Sequence, residues 1–138
     1  MKYFVVFFIS AVFLIGICDA AHPFEKCKED SKAGKFGEEC ILHCQYKIYG
    51  FTNKKYEISS YHIEKFYKVL SKGNIVQKND KNKLRKLLKD CADQAERDPT
   101  SKDCRKINNY YRCIVNNDLV SYNKYAEIII AHDKTFNV

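Results

Sequence analysis

Six cysteines remain in this chain once its apolar leader is set aside, and they restrict the fold more than any other feature. The sequence has 138 residues and seven cysteines, a length that suits one domain. It opens with Lys2, an uncharged apolar run from Tyr3 to Ile17, and then Cys18-Asp19-Ala20. A basic start, an apolar middle and a small-residue exit are the marks of a secretory signal peptide. Residues 1–20 are therefore expected to be removed, leaving 21–138 as a single helical domain. The run is short for a membrane anchor, which needs about 20 apolar residues, and no later segment is long and apolar enough to span. Cys18 leaves with the signal, and Cys27, Cys40, Cys44, Cys91, Cys104 and Cys113 stay. An even count in a small exported chain implies three disulfides, because the export route is oxidising. Structural zinc sites favour close pairs such as C-x2-C, and none occurs. No metal and no cofactor is expected.

The hydrophobic periodicity is helical throughout, and no stretch alternates with a period of two. A first helix is expected from about Phe24 to Ala33 and a second from about Phe36 to Tyr49. Ser59 or Ser60 can cap a third, Tyr61 to Ser71, on which Ile63, Phe66, Tyr67 and Leu70 make one buried face. Asn79 or Asp80 can cap a fourth reaching Glu96, with Leu84, Leu87, Leu88, Cys91 and Ala95 inward. A fifth runs from about Lys102 to Asn116 and a sixth from about Tyr122 to Ala131. Pro23 and Pro99 fall at boundaries, and Gly34, Gly37, Gly50 and Gly73 fall near helix ends, as suits helix stops. The fold class is all-α, a compact bundle of about six short helices with three disulfides.

The cysteines fit these helices. Cys40 and Cys44 are four apart and share a face of the second helix. Cys104 and Cys113 are nine apart, on opposite faces of the fifth at 100° per residue. They clamp that helix to two different neighbours. Six cysteines allow 15 pairings, and spacing alone does not choose among them.

The formal charge is +7, unevenly placed. Residues 21–60 carry 7 Lys/Arg against 6 Asp/Glu, residues 61–106 carry 13 against 7, and residues 107–138 carry 3 against 3. A localised excess attracts a polyanion where a scattered one does not. Three basic stripes result: Lys65, Lys68 and Lys72 on the third helix; Lys78, Lys81, Arg85, Lys86 and Lys89 on the fourth; Lys102, Arg105 and Lys106 opening the fifth. Lysine, a point charge on a mobile stem, suits a flexible sulfate or phosphate chain. The bland counterpart is a solvated helix face, and only clustered charges act together, since the Debye length is about 8 Å in physiological salt.

Two cysteine spacings, Cys40-x3-Cys44 and Cys104-x8-Cys113, with one cysteine before and one between, resemble the insect odorant-binding (pheromone-binding) superfamily. The gap from Cys27 to Cys40 is shorter than usual there, so the first helix is expected to be abbreviated, and that from Cys44 to Cys91 is long. His43-Cys44-x-Tyr46-Lys47-x-Tyr49-Gly50-Phe51, Asn109-Tyr110-Tyr111-Arg112-Cys113, Tyr122-x-Lys124-Tyr125-Ala126 and Asp133-Lys134-Thr135 resemble the small odorant-binding-like salivary proteins of sand flies. The resemblance covers nearly all of the mature chain. It implies bridges Cys27–Cys44, Cys40–Cys104 and Cys91–Cys113, secretion into saliva, and binding of anionic polymers or surfaces such as sulfated glycans and polyphosphate. It also implies interference with contact-phase coagulation, in which factor XII and factor XI are activated on such surfaces.

Other readings compete. A carrier would enclose a small hydrophobic or amine ligand in an internal pocket, with Tyr110, Tyr111, Ile114, Ile128, Ile129 and Phe136 as its wall; a filled core is the plainer use of those residues. Nucleic acid would need exposed aromatics for stacking, but most fall on apolar helix faces. A ribonuclease would need two histidines and a lysine converging on one phosphate. His22 and His132 lie near the two ends of the chain with no supporting motif. A secreted phospholipase would need a His-Asp-x-Cys helix and a glycine-rich calcium loop, and His43-Cys44 has neither. The expectation is a monomeric binding protein, not an enzyme.

Overall fold

A computed structural model describes residues 21–138; the expected signal peptide, 1–20, lies outside the described residues. Six helices follow one another: α1 (Pro23–Lys32), α2 (Ile41–Tyr49), α3 (Ser60–Lys72), α4 (Lys81–Arg97), α5 (Cys104–Val115) and α6 (Tyr122–Asp133). Single 3-10 turns, Glu38–Cys40 and Lys78–Asp80, precede α2 and α4. No strand occurs among the described residues.

Local chemistry sets the boundaries. Ser59 caps α3, its backbone N–H donating to His62 Nδ1 at 3.0 Å. Gly50 closes α2 in the left-handed region (φ 78), and the Phe51 N–H returns to the Tyr46 carbonyl at 2.8 Å, the closure expected of a glycine after a helix. Three boundaries differ from those expected. The second helix does not run from Phe36, because Gly37 is extended and Cys40 leaves helical geometry (φ −99, ψ 0), so only a 3-10 turn precedes Ile41. The fifth begins at Cys104, since Asp103 sits at φ 54 and ψ −135, which leaves Lys102 ahead of the helix. Lys78 stands in the turn before α4 and not on it.

Two of the four glycines among the described residues act as stops: Gly34 (φ 77) and Gly50. After α3 the left-handed residue is Asn74 (φ 53), with the Ile75 N–H returning to the Leu70 carbonyl. Gly73 has an ordinary φ of −77. It serves a different need, because a methyl group there would overlap Ile128 Cγ1 and Cδ1. Gly73 is what lets α6 lie against the end of α3.

The disulfides tie the helices into one body. Cys27 of α1 bonds Cys44 of α2, Cys40 bonds Cys104 at the start of α5, and Cys91 of α4 bonds Cys113 of α5. The interior is aromatic. Phe51 and Phe66 stack at 4.2 Å, and Tyr46 meets both edge-on at 5.4 Å. Tyr46, Phe51, Phe66 and Tyr110 are fully buried, each contributing about 1.5–3 kcal/mol by leaving water. The Tyr46 and Tyr125 hydroxyls bond to each other inside this cluster.

The two ends of the described residues meet. Asp133, buried at the end of α6, accepts the Phe24 N–H at 3.0 Å and the Tyr49 hydroxyl. It satisfies an amide in the first turn of α1 that no local side chain reaches. His22 Nδ1 lies 2.9 Å from the Phe136 carbonyl, and the Val138 N–H donates to the Ala21 carbonyl.

Two tests follow from this packing. Gly73→Ala is expected to destabilise the protein by about 1–3 kcal/mol through overpacking, and Ile128→Ala in the same chain should cancel part of that loss. Thermal unfolding of the two single variants and the double variant measures the coupling. The second test is pH. Burial holds the imidazoles of His43, His62 and His132 below the ordinary 6.5 and pushes the phenols of Tyr46, Tyr49, Tyr110 and Tyr125 above 10.0. The unfolded chain thus gains protons first on acidification and loses them first on alkalisation, and each lowers stability. The melting temperature should be level between about pH 6.5 and 10 and fall on both sides; a rise on acidification would contradict the assignment.

Candidate anion-binding surface

Antiparallel packing of α4 against α5 and of α3 alongside α4 determines where the basic residues go. Of the eleven expected cations, nine are exposed, and Lys81 and Lys106 are half-buried. Three are committed to carboxylates. Arg85 reaches across to α3, donating through Nε and Nη2 to Glu64 at 3.2 and 3.3 Å. Its guanidinium also lies 3.9 Å over the Tyr67 ring. The Glu64 hydrogen bonds hold its pKa above the ordinary guanidinium value. Lys86 pairs with Asp90 on its own helix, and Lys106 pairs with Glu96 across α4–α5 at 2.7 Å. The other eight, Lys65, Lys68, Lys72, Lys78, Lys81, Lys89, Lys102 and Arg105, make no ion pair within 4.0 Å among the described residues.

The cations do not form one compact patch. Lys65, Lys68 and Lys72 fall within about 60° of one another around α3, roughly 100° from the Glu64 and Tyr67 side that meets α4. Lys65 rests over the Tyr61 ring at 4.8 Å. Lys68 and Lys72 border a groove between α3 and α6 of about 680 Å³, whose other walls include Val69, Gly73, Ile128 and Ala131. Arg85, Lys86 and Lys89 border a second groove, of about 560 Å³, between α3 and α4, with Glu64 and Asp93 among them. Lys78 and Lys81 stand at the start of α4. Lys102, Arg105 and Lys106 stand near its other end, as the Lys106–Glu96 pair requires. Fifteen residues of helix separate Lys81 from Glu96, about 22 Å, nearly three Debye lengths at physiological salt. A small anion feels one cluster at a time, whereas a long polyanion can span all of them.

The six residues weighed as the wall of a carrier's pocket are spread between the core, its edge and the surface grooves. Tyr110 and Ile114 are fully buried in the packed core. Ile128 lines the α3–α6 groove, and Tyr111 lines a shallow groove against α2. Ile129 and Phe136 pack on the edge of the core.

The histidines occupy structural contacts. His43 Nε2 bonds the Asn53 carbonyl at 3.0 Å, and the ring lies 4.2 Å from Tyr56. His132 packs among Tyr49, Phe51 and Phe136, with its Nε2 buried and unpartnered. The six cysteine sulfurs are all in disulfides, and the described residues hold no cluster of metal-ligating side chains. None of the described helices is long and apolar enough to cross a membrane.

Sequence reasoning placed the stripes but missed the carboxylates facing them. Glu64 lies 21 residues from Arg85, and no local spacing reports such a pair. The i,i+4 spacing of Lys86 and Asp90 was a readable signal.

Comparison with known proteins places the chain. Residues 19–117 match the PBP/GOBP family. The chain is 39% identical to Salivary protein 15a and 37% identical to Salivary protein 15b of Phlebotomus duboscqi, over the whole of both chains in each case. It is 35% identical to Ayaconin of Lutzomyia ayacuchensis over 96% of this chain and 92% of that one. Six helices, three disulfides and these likenesses together make the chain a member of the PBP/GOBP family, alongside the salivary proteins of sand flies.

Proposed function

We propose that the protein is secreted into saliva, beginning at Ala21 after removal of the signal peptide, and binds anionic polymers or surfaces through the cations of α3, α4 and the start of α5. It acts by binding and not by catalysis. By coating a polyanion it denies that surface to factor XII and factor XI and so slows contact-phase coagulation. One observation carries the reading: eight exposed or half-exposed cations free of ion pairs among the described residues, spread over α3, α4 and the start of α5, with more than 20 Å between the two ends of α4. Such a row favours a long, flexible polyanion, since each contact alone is weak and screened. The likeness to salivary proteins supports the setting.

A second reading, a small hydrophobic ligand as the family implies, is favoured by one feature. The α3–α6 groove has apolar walls and the buried, unpartnered His132 Nε2, so the ligand would sit in that surface groove and not in an internal pocket. Ala131→Trp, at an exposed groove position, should then abolish ligand binding and leave polyanion binding intact.

Binding to dextran sulfate across a salt series tests the first reading. Affinity should fall steeply as salt rises. Reversal of Lys68, Lys72 and Lys89 to glutamate should lower it roughly a hundredfold or more, at about 1 kcal/mol per lysine near an anionic surface. Arg85→Met with Glu64→Gln should change it little, because the paired charges are lost together. Clotting started on an anionic surface should slow with the wild-type chain and not with the triple reversal. Salt-insensitive binding would overturn the proposal.

A further inference from the structure

The α3–α6 side of the molecule carries an apolar component that a soluble polymer leaves unused. Ile130 is 57% exposed, in the outward half of α6. At 100° per residue, Ala126, Ile130 and Lys134 follow one another along that half, and Ile130, Ala131 and Lys134 are all exposed. Ala131 continues into the groove toward α3, where Val69 and Ile128 are walls and Lys68 and Lys72 border the opening. Lys124 of α6 and Lys134, which follows its last residue, are exposed and, among the described residues, form no ion pair. Four lysines on this side thus stand against one groove carboxylate, Glu127.

A lone exposed isoleucine is ordinary on a protein surface. One placed next to an apolar groove and among unpaired lysines matches a surface with negative headgroups over hydrocarbon. We propose that the α3–α6 face docks on anionic phospholipid bilayers, with Ile130 entering the boundary between headgroups and acyl chains and Lys68, Lys72, Lys124 and Lys134 on the headgroups. The inference rests on the cationic reading above and names one surface for it. The lysines supply attraction that salt removes, and Ile130 supplies a contribution that salt does not.

Co-sedimentation of the mature chain with phosphatidylcholine vesicles, with and without phosphatidylserine, tests this, with soluble dextran sulfate as the parallel probe. Binding is expected only to the vesicles holding phosphatidylserine. Ile130→Ser should weaken vesicle binding about tenfold, from the loss of one buried aliphatic side chain, and leave dextran sulfate binding unchanged. Lys124→Gln with Lys134→Gln should weaken vesicle binding also. If the chain binds dextran sulfate but not phosphatidylserine vesicles, or if Ile130→Ser binds vesicles as the wild type does, the lipid inference falls and the polyanion reading stands. If it binds neither, both fall.

Discussion

Cys104 and Cys113 leave α5 on opposite sides and fasten it to two different neighbours, and the arrangement of the other helices depends on that. One bridge brings in the turn before α2, the other brings in α4. The Cys40–Cys104 bridge spans 64 residues, against 17 and 22 for the other two. In the chain-entropy account it stabilises by about 4 kcal/mol and each of the others by about 3. With α5 fixed in the middle, α4 lies along it and α3 along α4, and that sequence of contacts carries the basic helices to their positions.

The interior and the surface divide the work. Stacked Phe51 and Phe66, edge-on Tyr46 and buried Tyr110 fill the centre, and the grooves lie at the surface beside α3 with cations on their borders. The cations are graded by commitment. Arg85 is held between a carboxylate and an aromatic ring and acts as a fastener of α3 to α4, whereas Lys68, Lys72 and Lys89 keep their charge available. Net charge alone does not report this distinction.

Helix existence and the buried faces were legible in the sequence. Phe66 and Leu70 on α3, and Leu84, Leu88, Cys91 and Ala95 on α4, are buried as their spacing indicates. What escaped depends on tertiary partners or on backbone choices that composition does not encode. Asp103 adopts a left-handed φ that ends any helix starting at Lys102. Gly73 looks like a helix stop but answers a steric need set by Ile128, 55 positions away in the chain. The basic stripes were visible as stripes. Their fate was not, because Glu64 and Glu96 reach Arg85 and Lys106 only after the helices pack. Apolar spacing marks what is buried and not whether space is left among the buried groups; Tyr110 and Ile114 take the filled-core role that was the plainer reading.

The carboxylate of Asp133 also has a consequence for the order of assembly. Its bond to the Phe24 amide joins positions 109 apart, and the His22–Phe136 contact joins positions 114 apart. Contacts over such distances carry the largest loop entropy and form after nearer ones are in place. The first turn of α1 is therefore completed by the last helix of the chain. During synthesis the first helix emerges well before its end group, which arrives only when the chain is nearly complete.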